Sequence, residues 1–131
     1  MAAEYVVDAH TLVWFFAGNQ KLGLAARRIL ENPSATLILP AIALAEACWL
    51  AEKGRANIGS VADVLRKVSS DARIRVDSLD QDLSRRSYQL GWDGEMHDRQ
   101  IVATALRAGS VAVLTTDSAI RDSGLVPTIW D

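Results

Sequence analysis

The sequence predicts a three-layer α/β/α sandwich in which helices cover both faces of a short central parallel sheet. Segments such as EYVV, TLIL and VAVL are short and largely apolar, which is typical of strands that are buried on both faces. Between them lie segments whose apolar residues recur at helical spacing. Because strands that alternate with helices usually pair in parallel, these two observations together favour the α/β class.

Proline and glycine residues set the bounds of the predicted elements. Glycine commonly follows the last helical residue, and proline is tolerated in the first turn of a helix. The first helix should therefore end at Gly18, and the third should begin at Pro40 and stop before Gly54. We expect strands at residues 4–7, 36–39, 73–76, 111–114 and 127–129. We expect helices at residues 9–17, 22–30, 40–53, 61–68, 82–90 and 98–108.

Length and composition indicate a single packed domain. The chain has 131 residues, which we expect to form one domain over residues 1–131. Half of the residues are hydrophobic and 23% are charged, so the composition argues against intrinsic disorder. With 16 acidic and 14 basic residues the formal net charge is −2, so a nucleic acid would have to be bound by a local basic patch.

Several common classes of site are excluded by the motifs that the sequence lacks. Cys48 is the one cysteine, so the chain has neither an internal disulfide nor a cysteine-based zinc site. There is no glycine-rich phosphate loop, nucleophile elbow, HExxH or CxxC motif. No signal peptide is evident, and no apolar stretch approaches the roughly 20 residues of a membrane span. We therefore expect a cytoplasmic protein without a membrane partner.

Four carboxylates lie where the predicted fold would bring them towards one edge of the sheet. Asp8 directly follows the first strand and Asp117 comes shortly after VAVL, so both fall at carboxyl ends of strands, where open parallel sheets bind ligands. Glu46 lies within an apolar helix, on what we expect to be its inward-facing stripe, with Lys53 as a counter-charge at the helix end. Asp98 begins the apolar stripe of a later helix.

Four converging carboxylates predict a site for a divalent cation. Buried, unpaired carboxylates are costly and repel one another, and hard cations such as Mg²⁺ or Mn²⁺ relieve that cost through oxygen ligands. Such an ion activates water and stabilises charge on a phosphoryl oxygen, so the predicted chemistry is metal-assisted phosphodiester hydrolysis. A structural role stays open as well, since Asp8 and Asp117 are suited to cap helices and Asp98 suits a helix N-terminus.

Four segments together resemble one known family. VVDAHTLVWFFAG, LPAIALAEACWLAEKGR, MHDRQIVATAL and VLTTDSAIRDSGLVPTIW resemble the PIN-domain family, and they are most similar to the VapC-type toxins of bacterial toxin–antitoxin pairs. The resemblance implies a Mg²⁺- or Mn²⁺-dependent endoribonuclease that hydrolyses RNA through a metal-activated water. The family's four acids match Asp8, Glu46, Asp98 and Asp117. Its polar residue beside the fourth acid, which is expected to orient that water, matches Thr116.

The resemblance also implies partners and exposes one departure from the family pattern. It implies a homodimer that is held inactive by a cognate antitoxin, which inserts a peptide arm near the acidic site. Relatives often carry Asp-Pro shortly before the third acid, whereas this chain has GEMH. Asp93 and Glu95 are therefore candidate auxiliary acids.

Basic and imidazole side chains near the acids are further candidates for RNA contacts. Arg99 and Arg121 flank the third and fourth acids, and each is suited to bind a phosphate, although a solvated helix-face position explains each equally well. For His10 and His97 we favour packing or hydrogen bonding, with proton transfer by His97 as the alternative.

Aromatic side chains are the remaining candidates for contacts with bases. The sequence has four tryptophans, Trp14, Trp49, Trp92 and Trp130. Tryptophan stacks well on nucleobases, but Trp14 and Trp49 lie within apolar helical segments. We therefore predict that the tryptophans pack in the core or at an interface.

Two other classes of function stay open as alternatives. A catalytically silent PIN-like scaffold would bind RNA or a partner protein without cutting, and it should bind Mn²⁺ weakly or not at all. A phospho-accepting receiver domain also gathers acids around Mg²⁺ at strand ends, but it requires a lysine after a late strand. The sequence has no lysine after Lys67, so the receiver domain is the less favoured of the two.

Overall fold

Five parallel strands form the centre of the molecule. The computed structural model describes residues 2–131, and all five predicted strands are present. They are β1 (Glu4–Val7), β2 (Thr36–Pro40), β3 (Ile74–Asp77), β4 (Ala112–Leu114) and β5 (Thr128–Ile129). They form one sheet in the order β3-β2-β1-β4-β5, and every pair of neighbours is parallel. The predicted α/β fold class is confirmed.

Seven helices connect and cover these strands. They are α1 (Ala9–Ala17), α2 (Leu24–Glu31), α3 (Ala41–Glu52), α4 (Val61–Ser70), α5 (Gln81–Tyr88), α6 (Met96–Ala108) and α7 (Ser118–Ser123). Helix α6 begins two residues before its predicted start, because the Glu95 side chain accepts the N–H of His97 at 2.8 Å and caps the helix there. Helix α7 falls in a segment for which no helix bounds were predicted.

Side chains that alternate along the strands build one core on each face of the sheet. Val7 and Leu114 pack with the helices α1 to α4, whereas their strand neighbours Val6 and Val113 pack with α6 and α7. In β2, Ile38 faces the second core and is fully buried. This arrangement is the predicted three-layer α/β/α sandwich.

The order of the strands creates a crevice at one place on the carboxyl edge of the sheet. The chain runs outwards from β1 through β2 to β3 and then returns to the other side of β1 to form β4 and β5. The direction of winding thus reverses between β1 and β4. In open α/β sheets, ligands bind beyond the carboxyl ends of the strands at such a switch point.

The helices are short. None of those described for residues 2–131 has the length and apolar character that a bilayer span requires.

Candidate active site

An acidic cavity of about 250 Å³ opens at the switch point. Its walls come from the residues that follow β1 and β4 and from parts of α3 and α6. No lysine or arginine belongs to the part of the lining that the structure describes. The ionisable residues that line it are Asp8, His10, Glu46, Glu95, His97, Asp98 and Asp117. All four acids that the sequence analysis expected to converge therefore lie in one cavity.

Asp8 is held in place by two hydrogen bonds. It is 9% exposed, its Oδ1 accepts the backbone N–H of Thr11 at 2.9 Å, and its Oδ2 accepts the hydroxyl of Thr115. The first bond caps α1, so the predicted capping role is confirmed. The second follows from strand register, because Val7 pairs with Leu114 and the residues after them face each other.

Thr115 connects Asp8 with the segment that carries the fourth acid. Its hydroxyl donates to Asp8 and accepts the backbone N–H of Asp117 at 3.0 Å, and the residue is only 3% exposed. The sequence analysis missed Thr115, which only the pairing of β1 with β4 identifies. Thr116 is exposed and does not line the cavity, so its role in orienting water stays a prediction.

Replacing Thr115 by valine should weaken the site more than the fold. The change keeps the shape but leaves a buried oxygen of Asp8 and the N–H of Asp117 without their partner, which costs about 1–3 kcal/mol of stability. Loss of such an orienting contact should reduce divalent-cation affinity about 10- to 100-fold. Mn²⁺ titration and thermal unfolding measure the two effects.

Two further variants separate positioning from stability. Thr115→Ser keeps the hydroxyl and should restore Mn²⁺ affinity. Thr104→Val removes a buried hydroxyl that donates to the carbonyl of Gln100 at 2.7 Å, inside α6 and outside the cavity lining. It should lower stability without changing Mn²⁺ affinity. Equal Mn²⁺ affinities in Thr115→Val and Thr104→Val would contradict the positioning role.

Asp117 also serves as a helix cap. Its Oδ1 accepts the backbone N–H groups of Ala119 at 2.8 Å and Ile120 at 3.3 Å, at the start of α7. This fixes the side chain at the carboxyl end of β4, beside the cavity. The predicted capping role of Asp117 is confirmed, and it is compatible with a second role in the cavity.

Glu46 reaches the cavity from α3 but does not lie on the buried face of that helix. The buried face is formed by small and apolar residues such as Ala43, Ala47 and Leu50, and the Glu46 side chain beside them is 35% exposed. The prediction that Glu46 faces inwards is wrong in this respect, because α3 is apolar on most sides and its pattern does not identify the buried one. The side chain approaches His10, with 3.6 Å between Oε2 and Nδ1, whereas Lys53 is exposed.

Asp98 has the most perturbed carboxyl group in the cavity. Partial burial is the largest cause that raises its pKa to about 6, and the negative charges of Asp117, Glu95 and Asp8 act in the same direction, while His97 opposes them. The first turn of α6 thus holds a carboxylate for which the described lining offers no lysine or arginine. The electrostatic environment favours either a proton or a bound cation at this position.

The other residues singled out in the sequence lie at the edge of the cavity or outside it. Glu95 lines it and caps α6, with 3.3 Å between its Oε1 and Nδ1 of His97. Asp93 is exposed and lies outside the lining. Arg99 donates to the carbonyl of Gly94 and lies over the ring of Tyr88 at 5.2 Å, outside the acidic lining.

Arg121 also has another partner. Its Nε lies 3.2 Å from Oδ1 of Asp122, and it does not line the cavity. The phosphate-binding roles proposed for Arg99 and Arg121 therefore stay predictions, and the conformations in the structure do not bring either guanidinium to the acids.

The donors in the cavity fit a hard divalent cation. Carboxylate oxygens are the ligands that Mg²⁺ and Mn²⁺ prefer. The pKa of Asp98 is raised first by partial burial and then by the neighbouring carboxylates, and the described lining has no lysine or arginine to offset their charge. Within residues 2–131, however, no three His, Cys, Asp or Glu side chains are close enough together to form a ready-made metal site. Mg²⁺ commonly keeps several water ligands, which span such gaps between carboxylates.

The protein is thus a parallel α/β sandwich domain with a carboxylate-lined cavity at the switch point of its sheet. Residues 5–124 match the PIN domain family, and the chain belongs to this family. The resemblance recognised in the sequence is thereby confirmed. No protein of curated function matches the chain in sequence.

Solved structures with the same fold include a toxin and a chain of a toxin–antitoxin complex. VapC20 of Mycobacterium tuberculosis, described as a toxin that cleaves the sarcin–ricin loop, is 16% identical with a TM-score of 0.69, over 92% of this chain and 95% of that one. A toxin–antitoxin complex from Klebsiella pneumoniae contains a chain that is 19% identical with a TM-score of 0.70, over 95% of both chains. A Pyrobaculum aerophilum protein is 23% identical with a TM-score of 0.55, over 93% of this chain and 85% of that one.

Proposed function

We propose that the protein is a divalent-cation-dependent endoribonuclease that hydrolyses phosphodiester bonds in RNA. The observation that carries this proposal is the cavity at the switch point, where acidic side chains from four separate segments meet without a lysine or arginine in the described lining. Membership of the PIN domain family supports the same class of activity.

Four residues would hold the cation, which we propose is Mg²⁺, with Mn²⁺ as a substitute. These are Asp8, Glu46, Asp98 and Asp117, bound to the ion directly or through water. The ion would activate water as the nucleophile and stabilise the charge that develops on the phosphoryl oxygens.

The chain's own contribution to the reaction is to hold these carboxylates in a fixed arrangement. The N–H of Thr11 and the hydroxyl of Thr115 fix Asp8, and the first turn of α7 fixes Asp117. Such preorganisation means that little reorganisation is needed when the substrate binds. We further propose that the water-orienting role of Thr116 requires a different side-chain position from the exposed one seen here.

The proposed biological setting is a toxin–antitoxin pair. Two proteins with similar folds are described as a toxin and as part of a toxin–antitoxin complex. We therefore propose a cytoplasmic toxin, formed by one domain over residues 1–131, that acts as a homodimer and is restrained by a cognate antitoxin protein.

A silent PIN-like scaffold is the second candidate. It is favoured by one observation, namely that no three potential ligands among residues 2–131 stand close enough together to bind a metal directly. The receiver domain is no longer a candidate, because its flavodoxin-like strand order of 2-1-3-4-5 differs from the β3-β2-β1-β4-β5 order found here.

RNA cleavage in the presence and absence of divalent cations tests the proposal. We expect the purified protein to cut a labelled, structured RNA with Mg²⁺ or Mn²⁺ and to lose this activity in EDTA. Because water is the nucleophile, the products should carry 5′-phosphate and 3′-hydroxyl ends, and a 2′-deoxy substitution at the cut site should not prevent cleavage. Cyclic 2′,3′-phosphate products, or equal cleavage in EDTA, would contradict the mechanism. Failure to cut any RNA together with weak Mn²⁺ binding would favour the scaffold.

A further inference from the structure

A second, apolar groove adjoins the acidic cavity. It has a volume of about 380 Å³ and shares three of its lining residues, Ile42, Glu46 and His97, with the cavity. Ala45 and Trp49 complete its lining. The groove therefore continues the acidic cavity along one side of α3.

Trp49 presents its indole to this groove. The residue is 46% exposed and belongs to neither hydrophobic core, because α3 buries the face that carries Ala43, Ala47 and Leu50. Trp49 therefore does not pack in the core, and its predicted alternative position at an interface stays a prediction. By contrast Trp14 packs against Trp130 with 5.7 Å between ring centroids.

A cationic side chain lies over the indole. Gly54 follows α3 with φ of 65°, a conformation that favours glycine, and turns the chain back so that the N–H of Arg55 donates to the carbonyl of Leu50 at 3.0 Å. This brings the Arg55 guanidinium to 5.1 Å from the centroid of the Trp49 ring. Within residues 2–131 Arg55 forms no ion pair with an acidic side chain.

We propose that Trp49 is a stacking platform for an unpaired nucleobase of the RNA substrate, with Arg55 as the neighbouring contact for its phosphate backbone. Indole rings stack on any base, and an arginine without an acidic partner beside them attracts a polyanion. Trp49 lies about one helical turn, roughly 5 Å, from Glu46, so a base on the indole lies about one nucleotide from a phosphate at the acids.

The position of the groove and the charge of Arg55 favour RNA as its occupant. The groove opens from the cavity that holds the proposed phosphodiester site, so an RNA strand bound at the acids passes next to the indole. Arg55 provides a positive charge for the phosphate backbone beside the indole, whereas the described cavity lining contains no lysine or arginine. The inference rests on the proposed ribonuclease function and deepens it, because it requires a single-stranded or looped cleavage site.

RNA binding by variants of Trp49 tests the stack. The probe is a short, fluorescein-labelled single-stranded RNA that contains all four bases, bound in Mg²⁺ to chains that carry Asp8→Asn, which slows cleavage during the measurement. We expect Trp49→Ala to weaken binding about five- to a hundredfold, the range for losing one base–aromatic stack, and Trp49→Phe to keep most of the affinity. Leu106→Ala, which removes a 49% exposed apolar side chain away from the groove and the acidic cavity, should leave binding unchanged.

RNA with a single abasic nucleotide distinguishes stacking from a structural effect. At one position along the RNA, loss of the base should weaken binding to the parent chain but not to Trp49→Ala. Equal binding by parent and Trp49→Ala, or a loss in Trp49→Ala that no abasic position removes, would overturn the inference. A change of oligomeric state in Trp49→Ala with unchanged RNA binding would also overturn it, in favour of a second copy in the groove.

The two proposals are judged by different readouts. The ribonuclease function depends on metal-dependent cleavage by the unaltered chain, and it stands if that cleavage is found while Trp49→Ala binds and cuts normally. Absence of any RNA binding by the parent chain would overturn the stacking inference whatever the cleavage assay shows.

Discussion

Asp8→Asn should lower the rate of RNA cleavage about 10²- to 10³-fold, the size of effect that follows from losing one preorganised electrostatic group. The hydrogen bonds of Asp8 explain why the fold should survive. An asparagine Oδ1 accepts the N–H of Thr11 as the aspartate does, and its amide group is able to donate to the hydroxyl of Thr115. The change therefore removes a charge while keeping the cap of α1.

Cleavage under single-turnover conditions, Mn²⁺ affinity and thermal unfolding measure this prediction. The matched control is Asp80→Asn, because Asp80 also caps a helix, accepting the N–H of Leu83 at 2.8 Å, but lies outside the cavity lining. The control should cut RNA normally. Full activity of Asp8→Asn, or an equal loss in both variants, would rule out a charge-dependent role for Asp8.

Asp98→Asn should lower the rate of RNA cleavage about 10²- to 10³-fold and at the same time stabilise the metal-free chain. Asp98 is a proposed cation ligand, so its loss should reduce activity on the scale expected for Asp8→Asn. The same change removes a partly buried negative charge that the neighbouring carboxylates of Asp117, Glu95 and Asp8 repel. We expect the melting temperature at about pH 7 to rise by a few degrees in the absence of divalent cations.

The pH dependence of this gain follows from the raised pKa of Asp98. In the folded chain that pKa is about 6, against an ordinary value of 3.8, so the folded state binds the proton more tightly than the unfolded state does. The resulting stabilisation is complete below pH 3.8 and is lost as the pH rises through about 6. The asparagine amide of the variant does not titrate, so the stability difference should be near zero in acid and reach its maximum above pH 6.

Thermal unfolding of both chains across this pH range, with and without Mn²⁺, is the measurement. Bound Mn²⁺ offsets the repulsion among the carboxylates, so it should stabilise the unaltered chain more than the variant. The difference between their melting temperatures should therefore become smaller in Mn²⁺. Asp93→Asn is the control, because Asp93 is exposed and outside the cavity. A destabilised Asp98→Asn at neutral pH would show that the carboxylate is compensated in the folded chain.

Most of the fold was predictable from local sequence patterns. Each of the five strands lies at or within two residues of its expected position. Short apolar runs between helical segments are typical of parallel strands that are buried on both faces. The positions of Asp8 and Asp117 were predictable for the same reason. A residue that follows a parallel strand lies at the carboxyl edge wherever that strand stands in the sheet.

Details that depend on which elements meet were less predictable. Thr115 was missed because its contact with Asp8 arises from the pairing of two strands that are about a hundred residues apart in the chain. The exposure of Trp49 was missed because α3 is apolar on most sides, so its pattern does not indicate which face is buried. Arg99 directly follows Asp98 in the sequence, but its side chain contacts Gly94 and Tyr88 and does not line the cavity.

Local patterns in the amino-acid sequence are sufficient to specify a layered α/β domain with acids at the ends of its strands, since hydrophobic periodicity and strand polarity are local properties. The assembled fold adds that the acids share one cavity, that a buried threonine hydroxyl holds Asp8, and that an indole beside them stays open to solvent. These features arise because strand order and helix packing bring together groups from distant parts of the chain. The repulsion among the carboxylates and the hydrogen bond from Thr115 to Asp8 exist only once the chain has folded.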